Sequence, residues 1–387
     1  MNSVARRIPS NELLGYFQRS LRDRGATDYT KGVHHNHRYH VVRLLFLLLL
    51  VALCAPLFVS AANDDRPQPR RPSARERAAD RRAERDDAER ESQAAHRRRW
   101  LAMLEARDVE AWPEKESDKV HAAALAASRE MIGEIIELLP GAQLYETEHF
   151  LFTSNIPAEQ VQPYIVSLDR MYDWMCQLYG VPRGHKVWLG GKASIFAFLE
   201  QHQFAAFEDR YFPDARAQLR AVANVYGLCH MSPNGEVAIA CYRGDDPNNF
   251  GQMLVHETSH GFIHRYKTKA ELPNWVNEGM ADLIGAEMVP ASTAVRDREL
   301  QAIQELARRR SLGGMLSAKR IDGWQYGIAS SLNRFLLQAN RSGYVRFIEA
   351  LKEGMTWEDA LANAYGGTPD ALLTRYGRWI GVSRLQP

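Results

Sequence analysis

Cysteine is scarce in this sequence, with four residues in 387 and no Cys-x-x-Cys pair. That is too few for a disulfide framework and wrongly spaced for a thiolate zinc site. Net charge is also nearly absent. Lys plus Arg number 49 against 47 Asp plus Glu, a formal charge of +2, so no overall basic field exists to hold a nucleic acid backbone, and no nucleic-acid partner is expected. There is no internal repeat. What remains, 45% hydrophobic and 25% charged residues, is the composition of a folded globular protein. At about 100–200 residues per domain, the length allows one large domain or two moderate ones.

One long apolar run stands out. From Leu44 to Val59 all 16 residues are apolar, Arg43 precedes them, and Val59-Ser60-Ala61 has the small-residue pattern of a signal peptidase site. The run contains Pro56 and is short for a span of about 20 residues. Cleavage after Ala61 or Ala62 is therefore favoured over an uncleaved signal anchor, which would tether the chain through residues 44–62. The leader, residues 1–43, carries eight Lys or Arg against three acids and is predicted to stay in the cytoplasm. Its length also fits a translation start downstream, near Val41 or Val42. Everything after Ala62 is expected outside the inner membrane, periplasmic or secreted, or anchored there. His34, His35, His37 and His40 have no partner acid or cysteine in the leader, and Cys54 follows Leu53 where a lipoprotein signal wants a small residue, so neither is read as a functional site.

Residues 63–111 form a linker. Its first part, to about Arg99, is rich in Arg, Asp, Glu and Ala with almost no large apolar residue, so it cannot bury a core. A solvated tether or a frayed single helix laced by i,i+4 pairs is predicted. The folded unit is expected over 112–387, beginning near Trp112. Periodicity predicts helices over Ser117–Leu139 and Pro157–Tyr179, with Pro163 kinking the second or moving its start, and Gly180 closing it. Strands are predicted over Leu144–Thr153 and Lys186–Leu189, and a hairpin over Asn224–Tyr242 turning at Ser232-Pro233-Asn234-Gly235. Beyond that, nearly everything has helical period. The fold class is thus α+β, a mixed twisted sheet lobe to about residue 268 followed by a helical lobe over 269–387, with a cleft between them. Cys229 and Cys241 flank the hairpin turn. A three-residue loop would set them opposite each other as a disulfide, leaving Cys176 a buried thiol; the alternative is two small apolar residues facing a core.

The chemistry concentrates in His256-Glu257-Thr258-Ser259-His260, inside a helix announced by Asp246 as N-cap and Pro247 in the first turn. Spacing i,i+4 sets His256 and His260 on one face about 6 Å apart, where both imidazoles can share one zinc ion. Glu257, about 100° around the helix, can reach a water beside the metal without being a ligand. Glu278 is the expected third ligand, because a hydrolytic zinc takes three protein ligands and keeps the fourth position for water. Asp282, one turn later, is placed to accept the outer N–H of a ligand histidine. His264 lies about 12 Å along the helix from His256, too far to share the ion, and is read as a packing or supporting residue. A metzincin would need Gly and His where the chain has Ile263 and Tyr266.

His256-Glu257-x-x-His260 with Trp275-x-Asn277-Glu278-Gly279-x-Ala281-Asp282 resembles the gluzincins, the thermolysin-like superfamily, and most of all the bacterial peptidase MA-like proteins. The resemblance runs from about Leu144 to Trp379 and includes Glu148-His149-Phe150, Pro273, Tyr326-Gly-Ile-Ala329 and Ala360-Leu361. It implies a zincin-like fold whose edge strand lies antiparallel to an extended substrate; Val237–Tyr242 would be that strand. It also implies one Zn2+ per chain, a peptide or protein substrate, and a tyrosine leaning into the cleft as oxyanion donor, for which Tyr326 is chosen, with Tyr242 and Tyr344 as alternatives. The Gly-x-Met-Glu-Asn motif of the related aminopeptidases is missing, which favours an endopeptidase. The expected function is an exported zinc metallopeptidase with Glu257 as general base. The alternatives are a non-catalytic zincin-fold binding or scaffold protein at the cell envelope, and an anchored structural protein whose active part is the 63–110 arm.

Overall fold

The computed structural model describes residues 73–213 and 225–387. The leader, the apolar run with its cleavage region, the leader histidines, Cys54 and the first residues of the linker lie outside them. Among the described residues, no helix is long and apolar enough to cross a membrane.

The charged linker is helical. Helix α1 (Ala74–Glu105) has no apolar face over most of its length and is laced by short-range pairs such as Arg90 with Asp87. Its last turns touch the folded unit: Leu104 is fully buried and the Trp100 indole N–H donates to Glu353 Oε1 at 2.9 Å. Contacts therefore extend upstream of Trp112. Helix α2 (Asp118–Leu138) starts where Ser117 Oγ accepts the Val120 N–H. The single strand expected over Leu144–Thr153 is a hairpin, β1 (Gln143–Glu146) and β2 (Phe150–Ser154). Thr147 breaks it, since its Oγ1 accepts the N–H groups of both His149 and Phe150 and closes a turn there. Helix α3 (Ala158–Tyr179) begins before Pro163 and ends on left-handed Gly180.

Lys186–Leu189 is not a strand. Val187 and Trp188 are buried in a loop that leads into a 3-10 turn, and the strand is β3 (Ala193–Phe198), buried along its whole length. Its sequence lacks alternation because both faces are covered, as expected for a parallel interior strand. Helix α4 (Gln201–Tyr211), β4 (Gly227–Met231) and β5 (Val237–Tyr242) complete the sheet, ordered β1-β2-β3-β5-β4, with β2, β3 and β5 parallel and the outer strands antiparallel. Val237–Tyr242 is therefore an interior strand and not the edge. The edges are β1 and β4, the latter because the hairpin folds its first strand to the outside of its second.

After Tyr242 every described element is helical: α5 (Pro247–Arg265), α6 (Asn274–Met288), α7 (Ala294–Arg309), α8 (Gln325–Ala339), α9 (Arg341–Lys352), α10 (Trp357–Tyr365) and α11 (Pro369–Ile380), with a short 3-10 turn at Met315–Ser317. Asp246 caps α5, accepting from the N–H groups of Asn248 and Asn249. This helix packs on α3, on α6 and on the face of β4 and β5. Gly261 permits that approach, since a methyl group there would meet Val237 and Cys229. Gly279 does the same where α6 crosses α8, its Cα facing the Ala329 carbonyl and the Asn333 amide. Overfilling such a contact costs about 1–3 kcal/mol.

The hairpin register corrects the disulfide. Ser232 N–H bonds the Glu236 carbonyl, so the three-residue loop is Pro233–Gly235, and Cys229 stands opposite Ile239 while Cys241 stands opposite Gly227. The two thiols are two positions out of register and both are free, as is half-buried Cys176. Mass spectrometry of the unreduced protein is expected to find no peptide joining Cys229 to Cys241. Both should alkylate on denaturation without reductant. A cross-linked peptide would contradict the register.

Candidate metal centre

Two helices bring the site together. Helix α5 carries His256 and His260 one turn apart, with buried Thr258 and Ser259 between them. Those hydroxyls donate to the carbonyls of Leu254 and Val255 at 2.6 and 2.7 Å, so the helix interior keeps no unpaired hydroxyl there. Helix α6 starts after Pro273 and presents Asn277, Glu278 and Asp282 toward the histidines of α5. His256 Nε2 and His260 Nε2 lie 3.1 Å apart, and Glu278 Oε2 lies 3.5 Å from the first and 3.8 Å from the second. These three are the residues whose donor atoms cluster in the manner of a metal site among the described residues.

The donor set fits a zinc ion. Tetrahedral bonds of about 2.0–2.1 Å imply ligand-to-ligand separations of about 3.3–3.4 Å, which the three distances bracket. The second nitrogens are also committed. His256 Nδ1 is 2.9 Å from Asp282 Oδ1, and His260 Nδ1 is 3.1 Å from Asn277 Oδ1. With both Nδ1 atoms donating, both Nε2 lone pairs converge on one point, an arrangement that repels unless a cation sits there.

Electrostatics point the same way. Burial pushes the His256 pKa down, but Asp282 and Glu278 outweigh it and hold the imidazole well above its usual value. Burial likewise opposes ionisation of Glu278, yet His256 and His260 bring its carboxyl down to about 2. Positive charge is thus favoured among three groups already shielded from water. Asp282 is itself buried, and its Oδ2 accepts from Arg298 Nη1 of α7 at 2.7 Å.

Glu257 lines a cleft of about 820 Å³ beside this cluster, together with His256, Arg298, Tyr226, Tyr242 and Tyr326. Tyr326, in the first turn of α8, has its pKa pushed up to about 12, first by burial and then by Glu278, Asp282 and Glu257. Of the alternative tyrosines, Tyr344 is buried and donates to Asn333 Oδ1, while Tyr242 stacks beneath Tyr226. His264 stands apart from the cluster, packed edge-on against Trp112. Cys229 of β4, partly buried, and Cys241 of β5, buried, lie in the sheet near Glu257, and both thiols are pushed up in pKa by burial first and then by that carboxylate.

Sequence reasoning missed Arg298 and the role of Asn277. Asn277 stands beside Glu278 in the motif and was legible as a hydrogen-bonding neighbour. Arg298 carries no local signal, because its partner lies on another helix.

Glu278→Ala should lower bound zinc by at least about tenfold while Asp282→Asn lowers it less, since the first loses a ligand and the second only the orientation of His256. Metal analysis after dialysis against zinc buffers of graded strength reads both. Unchanged zinc in Glu278→Ala would place the third ligand elsewhere. The chain matches no protein-family model and no curated protein sequence.

Proposed function

We propose that the chain is an exported zinc-dependent peptidase of the gluzincin type with a zincin-like fold, in which His256, His260 and Glu278 hold the metal. The observation that carries this reading is the convergence of two Nε2 atoms and one carboxylate oxygen at 3.1–3.8 Å, with both outer imidazole nitrogens already bonded. When bound there, zinc supplies Lewis acidity and lowers the pKa of a water to about 7.

The remaining work belongs to the chain. Glu257 faces the cleft without joining the ligand cluster, so its carboxylate is free to take the proton from the attacking water and return it to the leaving amine nitrogen. Burial, and after it the carboxylates of Glu278, Asp282 and Glu257, push the Tyr326 pKa up, which favours the protonated hydroxyl. It can therefore donate to the carbonyl oxygen as negative charge builds on it. The substrate lies extended along β4, the edge strand nearer the site, whose Gly227 passes close to the Glu257 side chain. A methyl group at 227 would lie 3.2 Å from Glu257 Cγ, so strand and general base act at one place. Export rests on the apolar run Leu44–Val59 and the small residues that follow it.

Two substitutions separate the roles. Glu257→Gln should lower kcat on a cleavable peptide by more than about a hundredfold with zinc retained. Tyr326→Phe should lower kcat by about 10²–10³ with zinc content and melting temperature unchanged. Activity near wild type in either variant would remove that residue from the mechanism, and an unbiased peptide library left intact by zinc-loaded wild type would overturn the peptidase reading.

A further inference from the structure

Two pockets border the histidine pair. His256 and Glu257 line the first, and His260, one turn further along α5, lines a second of about 780 Å³. Strand β4 joins them, since Tyr226 just before it borders the first pocket and Met231 at its end borders the second. A peptide extended along β4 would therefore run from the general base into the second pocket.

That pocket holds an unusual group. Lys352, the last residue of α9, is 1% exposed, and it forms no ion pair among the described residues. Its ammonium makes one hydrogen bond, to the Ala270 carbonyl at 2.7 Å. Burial pulls its pKa down to about 7, with Glu271 the one acid opposing the shift. Glu271 itself is exposed. Beside Lys352 on the pocket wall is His264, whose Nε2 is buried and has no hydrogen-bond partner. A buried amine with donors to spare and an unpartnered imidazole nitrogen both cost free energy unless a ligand takes up their hydrogen bonds. Lys319 adds a second cation to the lining, and Glu271 is its one carboxylate.

We propose that the second pocket is a subsite for a substrate carboxylate, held by Lys352 Nζ with His264 beside it. This rests on the peptidase reading and names its substrate class: peptides that bring a carboxylate, at the chain end or on an acidic side chain, to within a few residues of the cleaved bond. From Gly227, beside Glu257, to Met231, beside the pocket, is four strand steps, about 13 Å, so the carboxylate should lie about four residues or fewer from that bond.

The test uses the full-length, zinc-loaded protein carrying Glu257→Gln, and three N-acetylated peptides of one sequence. One ends in a free carboxylate, one in an amide, and one in an amide with a glutamate placed near the end. Calorimetry should show one or both acidic peptides binding about ten- to a hundredfold tighter than the plain amide, the range of a charge-assisted hydrogen bond. Which one wins identifies the terminal or the side-chain carboxylate as the source. Lys352→Met should bring that ratio to about one, and Lys352→Arg should keep most of it. The ratio is taken within one protein, so a purely structural role for Lys352 in holding Ala270 would weaken all three peptides together and leave it unmoved. His264→Gln gives a second, milder variant that should reduce the ratio. Equal binding of the three peptides by the parent protein, or a ratio untouched by Lys352→Met, would overturn the subsite while leaving the peptidase reading in place. No binding of any peptide, with no cleavage by wild type, would overturn both.

Discussion

The buried carboxylate of Asp282 is the constraint on which the site depends. It lies almost wholly out of water, and a buried charge stripped of a partner destabilises a protein by about 3–5 kcal/mol. Asp282 has two partners, one for each oxygen: His256 Nδ1 and Arg298 Nη1. Because Oδ1 occupies Nδ1 of the imidazole, the ring can turn only its Nε2 toward His260 and Glu278. Three helices, α5, α6 and α7, are thereby tied through one side chain, and the direction in which His256 points is set by packing rather than left to a rotamer.

Close helix contact supplies the second requirement. Gly279 stands next to Glu278 in sequence and faces the backbone of α8 at Ala329, so the helix that bears Glu278 and Asp282 lies directly against the helix that bears Tyr326. Asn333 locks that crossing by donating to the carbonyls of Ala329 and Trp275 and accepting from the Tyr344 hydroxyl. On the other side, Gly261 lets α5 sit against β4 and β5. Small residues at these crossings set the spacing between the histidines, the carboxylates, the tyrosine and the edge strand.

Where a single element decides the outcome, the sequence carries a legible local signal. Ser117, Asp246 and Gly180 mark helix ends because capping is short-range chemistry. The i,i+4 histidines converge because helix geometry alone sets their spacing, and Glu278 with Asp282 follow from a second helix of the same period. Features that depend on partners distant in sequence were not legible. β3 lacks alternation because both its faces are covered, so its sequence carries no period-2 signal to set it apart from Lys186–Leu189. The loop of the β4–β5 hairpin could be drawn in two registers, and only the bond from Ser232 to Glu236 decides which, separating Cys229 from Cys241. The edge position of β4 is a property of the whole sheet. Arg298 and Lys352 are ordinary helical cations until α6 and the Ala270 carbonyl are brought beside them.

We propose that one zinc ion binds between His256, His260 and Glu278. X-ray diffraction from crystals of the zinc-loaded protein, recorded just above and just below the zinc absorption edge, tests it directly. A single strong anomalous difference peak is expected at about 2.0–2.1 Å from both Nε2 atoms and from a Glu278 carboxylate oxygen, with Asp282 still bonded to His256 Nδ1. The absence of any peak there in zinc-loaded crystals, or a peak held by other residues, would contradict it.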